Sequence, residues 1–390
     1  MNNIKAIYIH IPFCISKCKY CDFFSVPTKN GISDLYITSL CNEIKYRIKK
    51  YNIKEVDSIY IGGGTPSLLS QSQLQRIFDT IRENTIILED CEITIESNPD
   101  DISKDLIKSF EHCGINRISL GLQSFSDSAL CYVSRRATSE INVQALDIIK
   151  ENWKKDLSVD LICGLPKEDA DTFLHDISIL LPYKPDHISM YSLTIEDETP
   201  LGKEYINGSL QYDFDFADDL WLKSKELLKD NGYIHYEVSN FCLIGKECRH
   251  NIKYWNHDSY IGCGSGGAGS VYYEDGTGIR WTNIANIHKY CEYWSNFKND
   301  DSSLPVITEK IDLETSIFEF FMMGMRKLSG VSKNHFENIF KMKIPEKIIN
   351  VINKWVRKGL CEVIYKEDDL IYTLGHKGIL YLNSFLEEII

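Results

Sequence analysis

Cys14, Cys18 and Cys21 fall within eight residues, in Phe13-CISKCKYC-Asp22. Thiolates grouped this closely are how proteins hold iron–sulfur clusters. The spacing C-x3-C-x2-C gives a four-iron cube three ligands and leaves one iron open to bind and reduce something. Structural zinc competes for the same residues, but zinc wants four tetrahedral N or S ligands, usually as two spaced pairs. Only His10 and Cys41 are near enough in sequence to be recruited, and His10 would have to fold back from a strand just before Pro12. The spacing therefore favours the iron–sulfur cube. The other ten of the thirteen cysteines are scattered and read as small buried hydrophobes. With no export signal in residues 1–11, they are expected to be free thiols in a reducing cytosol.

The triplet must be positioned by what surrounds it. Residues 6–11 alternate Tyr8 and His10 with Ile7, Ile9 and Ile11, which predicts a strand with two unlike faces. Further strand patterns at 58–61, 92–96, 117–121, 158–162 and 187–193 alternate with helical ones, for example 34–50, 103–112 and 140–152. Six strand–helix units mean a parallel sheet. Their regular length predicts an α/β fold, a partial (β/α)6 TIM-like barrel, although element order alone leaves an open doubly wound sheet possible. Barrels gather chemistry at the C-terminal ends of their strands. That is where the Gly62-Gly63-Gly64-Thr65-Pro66 run, Glu96, Gln123 and Asp160 fall. A glycine run lets backbone approach a charged group closely, and a tight turn explains it equally well. With Arg135, these residues could hold a zwitterionic ligand with hydroxyls.

The regularity breaks after residue 235. Residues 236–305 read as an irregular connecting segment rich in Tyr, Trp, Asn and Gly, and 301–305 as a linker. From 306 to 390 three helical patterns and two short strand patterns predict a winged-helix-like α+β domain. Its third helix has few residues suited to base edges, which favours a structural or partner-binding role. The formal charge of −13 argues against a phosphate-tracking nucleic-acid binder. No apolar run approaches the ~20 residues that span a bilayer.

CISKCKYC, GGGTPS, ESNPDD, GLQSF and VDLICGLP, in this order, resemble the radical S-adenosylmethionine superfamily, and within it the oxygen-independent coproporphyrinogen oxidase-like family. The resemblance implies that Cys14, Cys18 and Cys21 bind a 4Fe–4S cluster whose open iron is chelated by S-adenosylmethionine. By motif it also implies that this cofactor contacts Tyr8, Tyr20, Gly63, Gly64, Thr65, Glu96, Gln123, Arg135 and Asp160. Two branches compete. The decarboxylating branch, a coproporphyrinogen III dehydrogenase, carries a further cysteine where this chain has Phe23, and an N-terminal extension for which a first strand starting near Ile4 leaves no room. The heme-chaperone branch has Phe at that position and a histidine motif matching His250-Asn251-Ile252-Lys253-Tyr254-Trp255. A neutral imidazole is a common axial ligand of heme iron, so the resemblance implies that His250 contacts heme. The expectation is a cytoplasmic heme chaperone without dehydrogenase activity, one that delivers heme to acceptors such as respiratory enzymes and could form a homodimer. Cys248 has no assignment, as a second ligand or as a buried thiol.

Overall fold

The computed structural model of the chain describes residues 4–297 and 304–390, so positions 301–303 of the expected linker lie outside the described residues. Strand β1 (Ala6–Ile11) runs into a loop tied at its ends by a short parallel pair, β2 (Phe13–Cys14) and β3 (Val26–Pro27). The parallel strands β4 (Glu55–Gly63), β5 (Ile86–Ser97), β6 (Arg117–Gln123), β7 (Asp156–Cys163) and β8 (His187–Ser192) add beside β1 in that spatial order. A doubly wound sheet reverses its direction of growth at a switch point. This sheet never reverses between β1 and β8, so the six units wind as a partial barrel.

The alternation along β1 sorts its two faces. Ile7, Ile9 and Ile11 are buried in the same apolar core as Tyr36, Ile37, Leu40 and Ile44 of the helix Asp34–Lys50. Tyr8 and His10 turn the other way, into the barrel lumen beside Tyr60. The crossover helices start where the sequence offers a capping side chain. Ser33, Ser103, Thr138 and Asp169 each accept a backbone N–H of the first turn, and Ser70 with Gln73 forms a capping box.

Residues after 233 continue the same sheet. On one side β9 (Ile234–Glu237) and β10 (Asn240–Cys242) cover β8 in antiparallel fashion. On the other side β11 (Tyr260–Cys263) pairs parallel with β1, followed antiparallel by β12 (Ala268–Tyr272), β13 (Gly278–Asn283) and β14 (Val306–Ile311). The result is one 12-stranded sheet with both flanks of the six-unit core covered.

The last part forms helices Leu313–Gly324, Lys333–Phe340 and Glu346–Arg357, then the hairpin β16 (Glu362–Lys366) and β17 (Asp369–Thr373), to which β15 (Val331–Ser332) adds a third strand. Its core of Phe320, Phe336, Ile352, Trp355 and Phe385 is separate from that of the sheet. It docks against both flanks of the sheet, at the turn between β9 and β10 and at β13. There the Val238 N–H donates to the Arg326 carbonyl at 3.1 Å, the Leu328 N–H donates to the Tyr236 carbonyl at 3.0 Å, and Arg280 grips both oxygens of Glu319 at 2.8 Å. Among the described residues no helix is long and apolar enough to cross a membrane.

Candidate cofactor site at the strand ends

The C-terminal ends of the parallel strands surround a cleft of about 440 Å³. The loop after β1 brings Cys14, Cys18, Tyr20 and Cys21 to its wall. The loop after β4 brings Gly63, Gly64 and Thr65, and the later strands add Glu96, Gln123 and Asp160, with Arg135 beside them. Tyr8 and His250 alone of the sequence-derived site residues do not line it. The Tyr8 hydroxyl sits 2.9 Å from His10 Nδ1, and its ring stacks on Tyr60, one of the lining side chains.

The polar groups around the thiols are held in place by the strand ends. The Thr65 hydroxyl donates to Cys14 Sγ at 3.4 Å, and Arg135 Nη1 lies 3.7 Å from Cys18 Sγ. The guanidinium is fixed by the Gly121 carbonyl and by Asn98 Oδ1 at 3.1 Å, while its Nε is buried without a partner among the described residues. Burial pushes the Cys21 thiol up. Asn98, which also donates to Thr65 at 3.2 Å, is a positioning residue that reading the chain residue by residue missed, although it stands inside the ESNPDD motif.

Among the described residues no three His, Cys, Asp or Glu side chains surround a point where a single metal ion could sit. A four-iron cube makes a different demand, because each thiolate takes its own iron. Three free thiols on one loop, a hydroxyl on one of them and a cation with an unused N–H beside another suit such an anionic cluster. The recruits that zinc would need are engaged elsewhere. Both ring nitrogens of His10 are in use, with Tyr8 and with the Phe24 carbonyl at 2.9 Å, and Cys41 Sγ donates to the Arg76 carbonyl between two outer helices. Of the ten other cysteines eight are buried, with Cys41 half-buried and Cys131 exposed.

The glycine run is first a packing device. A Cβ on Gly64 would meet the carbonyls of Phe13 and Ile11 at 2.7 and 2.8 Å, and Gly63, at φ 110°, faces the His10 ring. Their N–H groups are already engaged, Gly63 to Glu96 Oε2 and Gly64 to the Ile11 carbonyl, both at 2.9 Å. Glu96 also accepts the Tyr60 hydroxyl at 2.8 Å, and burial raises its carboxyl to about 7. Asp160 accepts the Ser119 hydroxyl at 3.0 Å, and burial raises it too. Gln123 stands at a register shift between β6 and β7 with φ of 70°, a strained conformation that lets its side chain face the cleft. Ser25 and Ser97 line the same wall with buried hydroxyls that have no partner among the described residues. Acids, hydroxyls and an arginine converging on one wall suit a small zwitterion that carries its own hydroxyls.

His250 lies at the other end of the barrel. The helix Arg249–Trp255 plugs the lumen there, with its first N–H groups, of Arg249 and His250, donating to the Glu92 carboxylate at 3.0 and 2.9 Å. His250 Nδ1 is 2.5 Å from the Ser58 hydroxyl and Nε2 is 2.8 Å from the Tyr254 hydroxyl, and burial holds the imidazole down to about 3. The ring is 5.2 Å from that of Tyr60, which separates it from Glu96 and the cleft. Cys248 is a buried thiol, 3.6 Å from Glu92 Oε1 and pushed up to about 12.

Known proteins agree with this architecture. Residues 8–180 match the Radical SAM superfamily. The chain is 34% identical over 389 residues to the heme chaperone HemW of Lactococcus lactis, covering 98% of this chain and 97% of that one. It is 31% identical over 385 residues to the heme chaperone HemW of Escherichia coli, with 98% and 97% covered. The solved structure of the Escherichia coli coproporphyrinogen III oxidase HemN, a radical SAM enzyme, superposes with a TM-score of 0.81 over 100% of this chain and 90% of that one, at 19% identity, and so shares the fold. Strands that wind in one direction, three thiols at their C-terminal ends and relatives matched end to end place this chain in the HemW family of the radical SAM superfamily.

Proposed function

We propose that the chain binds heme and hands it to heme-requiring acceptor proteins, with Cys14, Cys18 and Cys21 holding a 4Fe–4S cluster and the cleft above them holding S-adenosylmethionine. The end-to-end likeness to heme chaperones carries this reading. When bound, the cluster and its cofactor supply one-electron chemistry at the open iron. The protein's part is to bind and orient. Thr65 and Arg135 stabilise thiolate charge on Cys14 and Cys18. Glu96, held by Tyr60 and Gly63, and Asp160, held by Ser119, present acids to an ammonium group and to hydroxyls. Gln123 and Tyr20 close the wall, while Tyr8 braces Tyr60 from behind.

The decarboxylating alternative has less support. Phe23, where that branch carries a cysteine, is 65% exposed at the cleft mouth. A transfer assay tests the proposal. Heme-loaded, cluster-reconstituted protein is mixed anaerobically with an apo-hemoprotein, and the acceptor's heme spectrum is followed. Transfer that outpaces spontaneous heme dissociation from the donor is the expected result. Acceptor filling no faster than from free heme, with catalytic conversion of coproporphyrinogen III to a vinyl product, would overturn it.

A further inference from the structure

The strand pair that ties the ends of the cysteine loop leaves one group unexplained. Phe13 and Val26 stand opposite each other in the β2–β3 ladder and both pack on the apolar core, where the Phe13 ring meets Tyr36 edge-on with centroids 5.0 Å apart. Successive side chains of a strand point to opposite faces. Cys14, just after Phe13, and Ser25, just before Val26, therefore share the other face, and both line the cleft. Ser25 Oγ is buried, yet among the described residues it has no hydrogen-bond partner. Such groups are rare and costly. The serines inside the barrel obey the rule, Ser58 with His250, Ser119 with Asp160 and Ser158 with His187.

The backbone on either side of Ser25 is held. The Phe24 carbonyl before it is 2.9 Å from His10 Nε2, and the Val26 N–H after it donates to the Pro12 carbonyl at 2.8 Å. The Thr28 N–H donates to the Cys14 carbonyl, also at 2.8 Å, which locks the segment in register with the first thiol. Each thiol already has a donor of its own. Cys14 has the Thr65 hydroxyl at 3.4 Å, Cys18 has Arg135 at 3.7 Å, and Cys21 has the Phe23 backbone. The Ser25 hydroxyl is thus one donor more in the same wall, rigidly presented and without an acceptor among the described residues. The sulfurs of an iron–sulfur cluster are acceptors, and hydrogen bonds to them help set its potential.

Resting on the proposal that the three thiols hold a 4Fe–4S cluster, we infer that the Ser25 hydroxyl donates to a sulfur of that cluster and raises the potential at which it takes up an electron. On reduction the cluster gains one electron from an external one-electron reductant, and no bond forms or breaks. The added negative charge falls partly on sulfur, so a donor aimed at sulfur holds the reduced form more tightly than the oxidised one. Retention of the cluster rests on the three thiolates and does not need the hydroxyl. The effect of Ser25 is therefore on potential, and its backbone anchors give the fixed geometry that such tuning requires.

The test is a potentiometric titration of the anaerobically reconstituted full chain, without added S-adenosylmethionine, for wild type and Ser25→Ala. Dithionite is the reductant and electron paramagnetic resonance the readout. At a fixed applied potential the ratio of reduced to oxidised cluster should fall about tenfold in Ser25→Ala, which for one electron is a midpoint about 59 mV more negative. Without the cluster the variant should be no less stable than wild type in urea, since the hydroxyl it removes has no partner there. An unchanged midpoint at full iron and sulfide content would overturn the inference and leave cluster binding intact. So would a loss of stability in the cluster-free variant, which would show the hydroxyl serving the fold. No 4Fe–4S signal in wild type would overturn cluster binding itself. Should alanine cost the cluster, Ser25→Thr and Ser25→Val decide, because the two side chains share a shape and differ in the hydroxyl. Threonine should be reduced at the higher potential, and equal midpoints would overturn the inference.

Discussion

Arg135 is the side chain on which most of the candidate site depends, because it touches Cys18, Asn98 and Gly121 at once. Arg135→Gln removes the charge beside the thiolates, so reconstituted iron should be bound less tightly, by about 10–100-fold, as measured by chelator competition. Cys18→Ser should abolish the iron–sulfur absorbance while far-ultraviolet circular dichroism stays that of wild type. Glu96 gives a pH signature. Its folded carboxyl is raised from 4.5 to about 7 by burial, so its contribution to stability is complete below pH 4.5 and is lost as pH rises through about 7. Glu96→Gln should therefore gain stability relative to wild type across that window. Binding of S-adenosylmethionine by wild type should strengthen over the same interval, as the acid becomes able to pair with an ammonium group. Urea denaturation and calorimetric titration at pH 5, 6, 7 and 8 would check both, and parallel profiles for wild type and variant would contradict the assignment.

At the scale of elements, the turn after β4 and the plug helix carry distinct loads. Gly64→Ala drives a methyl against the Phe13 and Ile11 carbonyls, backbone that is part of the cysteine loop, and should cost about 1–3 kcal/mol in urea denaturation while loosening cluster retention. His250→Ala leaves the Ser58 and Tyr254 hydroxyls buried without their partner and should cost about 1–3 kcal/mol. The six core strands were legible because each alternates or runs apolar between helical periods, and β1 shows why: its isoleucines and its tyrosine–histidine pair face different solvents, core and lumen. Strands β11 to β13 were not legible. Gly262, Gly264, Gly266, Gly267 and Gly269 crowd this stretch where strands and turns touch backbone to backbone or backbone to ring, so the hydrophobic period that marks a strand is erased. The cleft residues were legible because they end strands. That Tyr8 stands behind the wall and His250 inside a plug depends on neighbours far along the chain, Tyr60, Ser58 and Glu92, and no local spacing encodes that.

The whole molecule is a partial barrel with a cleft at the C-terminal strand ends and a C-terminal domain docked against both flanks of its sheet. The docking includes a mostly buried ion pair, Arg280 with Glu319, two backbone hydrogen bonds with the segment around Val238, and the contacts of Lys327 and His335 with Asn256. Glu319→Ala leaves Arg280 with Glu309 and Ser270 alone and should cost about 1–2 kcal/mol, appearing as an early, separate unfolding transition of residues 313–390. A single cooperative transition with unchanged midpoint would mean that the two parts are held by other contacts. The most direct measurement of the central claim takes one cluster-reconstituted preparation under strict anaerobiosis and divides it between a heme titration and a coproporphyrinogen III turnover assay. Stoichiometric heme binding without vinyl product is the predicted result. Catalytic vinyl formation with no saturable heme binding would contradict the account.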